Sequence, residues 1–175
     1  SLPKTAKGKL KNVIGLVSPH AGFMYSGPVA AHGYHYLAFD GKPDIVVIFG
    51  PNHTGAGSGI AIMKEGAWHT PLGEVTIDTA VADTIVKQSG IIDVDETAHM
   101  REHSIEVQLP WLQFLYGSSF KFVPICFMMQ DLESSREVGI AAAKALKDKN
   151  ALVIASTDMT HYESQRIAES KDKPV

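Results

Sequence analysis

The stretch that decides the fold is VIGLVSPHAGFMYSG (residues 13–27), in which an apolar run leads into a turn that carries His20. The same order recurs in IVVIFGPNHTGAG (45–57), where His53 follows the apolar run. Both runs lack the apolar and polar alternation of a half-solvated strand, which is typical of parallel strands covered on both faces. The two stretches therefore predict central strands that each end in a turn with a histidine.

A third stretch, LVIASTDMTHYE (152–163), repeats the pattern with Asp158 and His161 after the apolar run. In open α/β sheets, ligands bind at the carboxyl ends of the strands, where loops lead to the helices. If the three strands are neighbours, their polar side chains converge on one edge of the sheet. The sequence thus predicts a pocket whose residues are far apart along the chain.

The spacing of apolar residues predicts the other elements. Apolar runs of strand length occupy five ranges, which are 13–17, 45–49, 60–63, 120–127 and 151–155. Helical spacing occupies three ranges, which are 28–39, 78–88 and 132–147. Pro28 suits a first helical position, Asp78 suits an N-cap, and Pro110 predicts a kink or a new helix start. This alternation predicts an α/β fold, a three-layer α/β/α sandwich with a mostly parallel central sheet, as a single domain over residues 1–175.

The stretch EGAWHTPLGEVTID (65–78) is typical of a hairpin or loop, with a short strand around Val75 and Ile77. We expect its antiparallel pair to interrupt the parallel order of the sheet.

The composition excludes several classes of protein. The formal net charge is -3 and the pI is near 6.2, so the chain lacks the basic footprint of a nucleic-acid-binding protein. No apolar run approaches the roughly 20 residues that span a bilayer, and residues 1–12 lack the apolar core of a signal peptide. We expect a cytoplasmic protein that contacts neither nucleic acid nor a membrane. The single cysteine, Cys126, lies in an apolar run and is interpreted as core filling.

His20 and His53 are the candidate metal ligands. Each lies among Gly, Pro, Ser or Asn residues, which permit tight turns and close backbone approach. An isolated loop histidine is more often solvated than bound to a metal, but three polar strand ends in one chain favour a shared site. Imidazole nitrogen with carboxylate oxygen is a ligand set for zinc, ferrous iron or copper, and few protein ligands leave positions open for water or substrate.

Asp158 and His161 are candidate catalytic residues with a structural alternative. Asp158 could act as the N-cap of a helix that follows the last strand. It could also orient His161, which could serve as a general acid or base because histidine titrates near neutral pH. Both roles of Asp158 can coexist.

His103 is the third candidate catalytic residue. Glu106 lies three residues later and would share a helical face with His103, so the two could form a pair that fixes the histidine tautomer, or a surface salt bridge. We place His103 in the pocket and His99 in a surface pair. His32 and His35 lie in a predicted helix and are interpreted as packing or solvent-facing residues.

Five motifs together resemble one protein family. They are SPHAGFMYSGPVAAHGY (18–34), VVIFGPNHTGAGSGIAI (46–62), WHTPLGEVTID (68–78), EHSIEVQLPWLQFL (102–115) and STDMTHY (156–162). Their order and spacing are similar to those of the MEMO family, whose prokaryotic members are called AmmeMemoRadiSam system protein B. That family is similar in fold and pocket position to the class III extradiol dioxygenases, which are non-haem iron enzymes.

The resemblance implies roles for single residues. His20 and His53 match the two metal-ligand histidines of the family, while Asp158, His161 and His103 match pocket residues. The third protein ligand of the family is a cysteine in a C-terminal part, and Cys126 lies too early in the chain to match it. We therefore expect a fragment that lacks N-terminal and C-terminal parts of the family's chain.

Two classes of function follow. The first is a metal-dependent oxidoreductase of dioxygenase type, with iron as the first choice of metal and copper or zinc as alternatives; a metal-dependent hydrolase would use the same ligands. The second is a non-catalytic module that binds a small molecule, a peptide, an anion or a partner protein in the same pocket. The turns after the strands offer backbone N–H groups suited to an anion.

Overall fold

The protein contains eight strands and five helices within residues 7–174, which are the residues that this computed structural model describes. The ends of the predicted domain, residues 1–6 and 175, lie outside the described residues. The strands are β1 (Gly15–Ser18), β2 (Ile45–Pro51), β3 (Ile60–Ile62), β4 (Ala67–Thr70), β5 (Gly73–Thr76), β6 (Asp93–Val94), β7 (Lys121–Phe127) and β8 (Ala151–Ser156). The helices are α1 (Phe23–Asp40), α2 (Thr79–Gln88), α3 (Leu109–Tyr116), α4 (Leu132–Leu146) and α5 (Gln165–Asp172).

Six of the strands form one sheet in the order β1-β8-β2-β7-β3-β6. The strands β1, β8, β2 and β7 run parallel to one another, whereas β3 pairs antiparallel with β7 and parallel with β6. The prediction of a mostly parallel central sheet in a three-layer α/β/α sandwich is confirmed. The predicted hairpin exists as β4 and β5, but it forms a separate two-stranded sheet, and the strands that run opposite to the other four in the main sheet are β3 and β6.

Alternate residues of β2 are buried in different layers. Val46 and Ile48 pack in a core cluster with Tyr34 of α1 and Leu112 of α3. Val47 packs in a second cluster with residues of α2 and α4. Because both faces of this strand are covered, its sequence shows no apolar and polar alternation. The prediction that β1 is also a central strand is wrong, because β1 lies at the edge of the sheet, pairs with β8 alone among the described strands and leaves Val17 62% exposed.

Helix starts follow local sequence signals in most places. The Asp78 carboxylate accepts a hydrogen bond from the backbone N of Val81 at 3.0 Å, so the predicted N-cap of α2 is confirmed. Pro110 lies in the first turn of α3, as the predicted new helix start requires. The prediction for Pro28 is wrong, because α1 begins at Phe23 and the proline lies inside the helix. A tertiary contact from Asp158, described below, holds the turn that precedes α1.

Cys126 is fully buried in β7, as the core-filling interpretation predicts. Burial raises the pKa of its thiol to about 12, which leaves it protonated and unreactive at neutral pH. Within residues 7–174, no helix combines the length and apolar character needed to cross a membrane.

Candidate metal centre

The centre lies where the carboxyl ends of β1, β8 and β2 meet at one edge of the sheet. These three strands are direct neighbours, so the turns after them bring together His20, Asp158 with His161, and His53. All four side chains line one cavity of about 180 Å³. The predicted pocket at the strand ends is therefore present.

Three histidines form the core of the centre. The ring of His20 lies 5.2 Å from that of His53 and 5.6 Å from that of His103, centre to centre, and the rings of His53 and His103 stack at 4.8 Å. One ring nitrogen from each histidine lies within 4.8 Å of the other two, which is a grouping that could hold a metal ion. The structure thus adds His103 to the two candidate ligands expected from sequence.

A buried carboxylate orients His53. Glu102 is 3% exposed, and its Oε1 lies 2.8 Å from the Nδ1 of His53, while its Oε2 accepts a hydrogen bond from the His53 backbone N at 2.6 Å. An ionised carboxylate only accepts hydrogen bonds, so the Nδ1 of His53 carries the proton. The Nε2 of His53 is left with a lone pair.

Glu102 is held in its ionised form. Burial alone raises the pKa of its carboxyl, but hydrogen bonds from the ring and backbone of His53 and from the backbone of Ser104 outweigh burial and bring the pKa to about 2. The same carboxylate accepts a hydrogen bond from the backbone N of His103 at 2.9 Å, and its Oε1 lies 3.4 Å from the His103 Nδ1. One negative charge therefore supports two of the three histidines.

His20 is the buried member of the cluster, at 2% exposure. Burial lowers its pKa, and the neighbouring His53 and His103 lower it further, while the negative charge of Asp158 opposes them. The lowered pKa favours the neutral imidazole, which is the form that binds metal.

Asp158 connects β1 to the end of β8. Its Oδ1 accepts hydrogen bonds from the backbone N of His20 at 2.7 Å and of Ala21 at 3.1 Å. The alternative that Asp158 caps the following helix is wrong, because α5 begins at Gln165 with Ser164 at its N-cap position. The carboxylate instead satisfies the two backbone N–H groups that precede α1.

His161 lies at the mouth of the cavity, with its side chain 56% exposed. Its Nδ1 lies 2.7 Å from the carbonyl oxygen of Met159, so this nitrogen is the donor and carries the proton. The Nε2 of His161 lies 3.8 Å from the Oδ2 of Asp158, and the Nε2 of His20 lies at the same distance from that oxygen. Asp158 thus stands between the buried histidine and the exposed one.

Two interpretations of the segment around residue 103 need correction. The sequence suggests Glu106 as the partner of His103, but the carboxylate that contacts His103 is that of Glu102. The reason is that residues 103–105 are not helical, and a 3-10 turn over Glu106–Gln108 leads into α3. His99 is not a surface residue either, because it is 7% exposed and packs edge-on against Trp68 at 5.8 Å.

The sequence signals for the supporting residues were weak. Glu102 lies beside charged Arg101 and His103 in the chain, which favoured a surface position, and Ser156 is one of several polar residues after an apolar run. A carboxylate inside the motif EHSIE is the one signal that could have identified Glu102. His32 and His35 are exposed on α1, as predicted.

The fold and the site together define an α/β sandwich protein with a candidate metal centre at the carboxyl edge of its sheet. The sequence profile of the family described as Memo-like protein matches residues 1–175. The chain therefore belongs to the Memo-like family, as the motifs predict.

Relatives of similar sequence agree with this assignment. A MEMO1 family protein of Methanopyrus kandleri is 54% identical over 176 residues, which cover 99% of this chain and 62% of the relative. A MEMO1 family protein of Methanothermobacter thermautotrophicus is 52% identical over 172 residues, with 97% and 62% covered, and one of Sulfurisphaera tokodaii is 52% identical over 169 residues, with 95% and 59% covered. The chain spans about three fifths of the length of these relatives.

Proposed function

We propose that this protein binds a divalent transition metal, with ferrous iron as the first choice, and acts as a metal-dependent oxidoreductase of the dioxygenase type. The observation that supports the proposal is the convergence of ring nitrogens from His20, His53 and His103 to within 4.8 Å of one another. Imidazole nitrogen suits iron, copper and zinc.

The residues fit a metal with a small adjustment. A metal–nitrogen bond of about 2.1 Å allows two ligand atoms to be at most about 4.2 Å apart, so a cluster spread over 4.8 Å must contract slightly. The side chains of His53 and His103 are 44% and 55% exposed and have room for a small shift, whereas His20 is buried. His20 is therefore the fixed ligand toward which the other two move.

The protein's own groups supply proton transfer beside the metal. A ferrous ion with few protein ligands offers open positions for dioxygen and a substrate. His161 keeps its Nε2 free to accept a proton, because its Nδ1 proton is directed at the Met159 carbonyl. The Oδ2 of Asp158 lies 3.8 Å from that Nε2.

The hydrolase alternative uses the same histidines, with His161 as the base toward a water molecule. The alternative of an anion-binding module has less support at the turn before α1. The backbone N–H groups of His20 and Ala21 already bind Asp158 and are not free for a ligand anion.

Calorimetric titration with ferrous iron under anaerobic conditions tests the metal site. We expect the protein to bind about one ion per chain and the His20→Ala, His53→Ala double variant to lose binding by at least about 100-fold, because each remaining ligand set is incomplete. The matched control is the His32→Ala, His35→Ala double variant, which removes two exposed histidines of α1 and should bind as the unmodified protein does. Equal binding by the protein and the His20, His53 variant would overturn the proposal.

Oxygen consumption by the iron-loaded protein tests the reaction type. We expect uptake with at least one member of a panel of catechols and its loss in a His161→Gln variant that still binds iron. Metal binding without oxygen uptake across the panel would contradict the oxidoreductase and favour the hydrolase or the binding module.

A further inference from the structure

We propose that Ser156 and Gln108 are positioning residues that hold His20 as the Nδ1-protonated tautomer, so that its Nε2 presents a lone pair to the centre. The inference rests on the proposed function, because it concerns how the buried ligand is prepared for a metal. It adds Ser156, the last residue of β8, and Gln108, in the turn before α3, to the residues that support the site.

The position of the Ser156 hydroxyl proton follows from its neighbours. Its Oγ lies 2.5 Å from the carbonyl oxygen of Ser104, 2.7 Å from the Nε2 of Gln108 and 3.1 Å from the Nδ1 of His20. A carbonyl oxygen only accepts hydrogen bonds and an amide nitrogen only donates them. The single hydroxyl proton is therefore directed at Ser104, and the hydroxyl oxygen is an acceptor toward both other groups.

The donor and acceptor roles at Ser156 also determine the tautomer of His20. With the Ser156 proton committed to the Ser104 carbonyl, the contact at 3.1 Å is a hydrogen bond only if the Nδ1 of His20 is the donor. Its Nε2 then has no proton in the neutral ring. That nitrogen lies 3.8 Å from the Oδ2 of Asp158.

The orientation of the Gln108 amide is set by two further contacts. Its Oε1 accepts a hydrogen bond from the Tyr34 hydroxyl at 2.7 Å, and its Nε2 donates to the Pro19 carbonyl at 3.1 Å as well as to Ser156. A reversed amide would point oxygen at the Pro19 carbonyl, which has no proton to give. The Tyr34 hydroxyl therefore stabilises the amide orientation on which the Ser156 contact depends.

Burial makes the arrangement rigid. Tyr34 and His20 are each 2% exposed, Ser156 is 3% exposed, and Gln108 is fully buried. Bulk water cannot replace a lost partner at such positions, and a buried polar group without a partner costs about 1–3 kcal/mol. The alternative tautomer of His20 would turn two acceptors toward each other at Ser156, so the network selects against it.

Nuclear magnetic resonance of metal-free protein labelled with ¹⁵N-histidine, at mildly alkaline pH, tests the inference directly. We expect a protonated nitrogen at Nδ1 of His20 and an unprotonated one at Nε2, with the His20 signals assigned by their absence in a His20→Ala variant. The opposite pattern in the unmodified protein would overturn the inference without any need for a variant.

Three serine variants extend the test. Ser156→Ala removes the acceptor and should shift His20 toward the Nε2-protonated tautomer and weaken ferrous iron binding by about 10–100-fold. Ser156→Thr keeps the hydroxyl and should restore the Nδ1-protonated form, while Ser135→Ala removes an exposed serine of α4 and should change nothing. An unchanged tautomer in Ser156→Ala would overturn the inference.

The two proposals fail separately. If the unmodified protein shows the expected tautomer but binds no metal, the proposed function is wrong and the positioning network stands. If it binds metal while His20 has no defined tautomer, the network is wrong and the metal centre stands.

Discussion

At the scale of single residues, Glu102 contacts two of the three candidate ligands. It combines near-complete burial with hydrogen bonds to the ring and backbone of His53 and to the backbone of His103. A carboxylate that accepts from a ligating histidine fixes the tautomer of that histidine and raises its basicity. We therefore expect Glu102 to influence the metal affinity of the centre, although it is not one of the three candidate ligands.

The variant Glu102→Gln tests this expectation. The carboxamide keeps the shape of the side chain but places an NH₂ group toward donors, so we expect ferrous iron affinity to fall by about 10–100-fold. The free energy of unfolding should also fall by about 1–3 kcal/mol, because a backbone N–H of His53 or Ser104 loses its acceptor.

The matched control for this variant is Glu106→Gln, which changes an exposed carboxylate four residues away. It should leave both iron affinity and stability within experimental error. Equal effects of the two substitutions on iron affinity would show that overall charge, rather than the contact with His53, determines binding.

At the scale of elements, the position of the segment that carries Glu102 and His103 depends on a close approach to the end of β2. A Cβ atom at Gly50 would lie 2.5 Å from the Ser104 Oγ and 2.8 Å from the Ile105 Cγ1, which is closer than atoms can pack. Ser104 also donates a hydrogen bond to the Pro51 carbonyl at 2.8 Å. Only glycine at position 50 lets the segment lie against the strand end.

The variant Gly50→Ala should push this segment away from β2. We expect the free energy of unfolding to fall by about 1–3 kcal/mol, as for an overpacked core, and iron affinity to fall with it because Glu102 moves relative to His53. Thermal unfolding and calorimetric titration measure the two effects.

Gly139→Ala in α4 is the control, because nothing lies within 4 Å of a Cβ atom at that position. Alanine in a helix interior should raise the free energy of unfolding by about 0.5–1 kcal/mol and leave iron affinity unchanged. A similar loss of stability in both variants would contradict the steric explanation for Gly50.

At the scale of the whole molecule, His99 makes stability depend on pH. Burial lowers its pKa to about 4, although the Ala61 carbonyl and the negative charges of Asp95 and Glu102 each raise that pKa. Among residues 7–174, neither of its ring nitrogens has a hydrogen-bond partner of normal geometry. The folded protein therefore keeps His99 neutral at pH values where the unfolded chain binds a proton.

The sign of the effect follows from proton counting. Between pH 6.5 and about 4 the unfolded state holds more protons at this residue, so the contribution of His99 to stability is full above pH 6.5 and is lost as the pH falls to about 4. The loss is on the order of 3 kcal/mol. We expect the free energy of unfolding of His99→Leu, measured with denaturant, to change less with pH over this range than that of the unmodified protein.

His32→Leu on the exposed surface of α1 serves as the control and should keep the pH dependence of the unmodified protein. If the stability of His99→Leu depends on pH as steeply as that of the control, other groups cause the pH dependence.

The sequence by itself determined the layers of the fold and the edge at which the site lies. Apolar runs without alternation indicate strands covered on both faces, and the polar turns after them indicate the carboxyl edge, because both signals are local in the chain. His20, His53, Asp158 and His161 could be identified in this way.

Only the tertiary structure decided what these residues contact. Glu102 is 49 residues from His53, and Ser156 is 136 residues from His20, so their pairing depends on strand order and on the packing of the 102–105 segment against β2. Tertiary contacts also show that Asp158 binds the turn before α1 rather than capping a helix. They likewise bring His103 close to the other candidate ligands. Hydrogen bonds between distant residues leave no periodic pattern in a sequence, because no local spacing relates their partners.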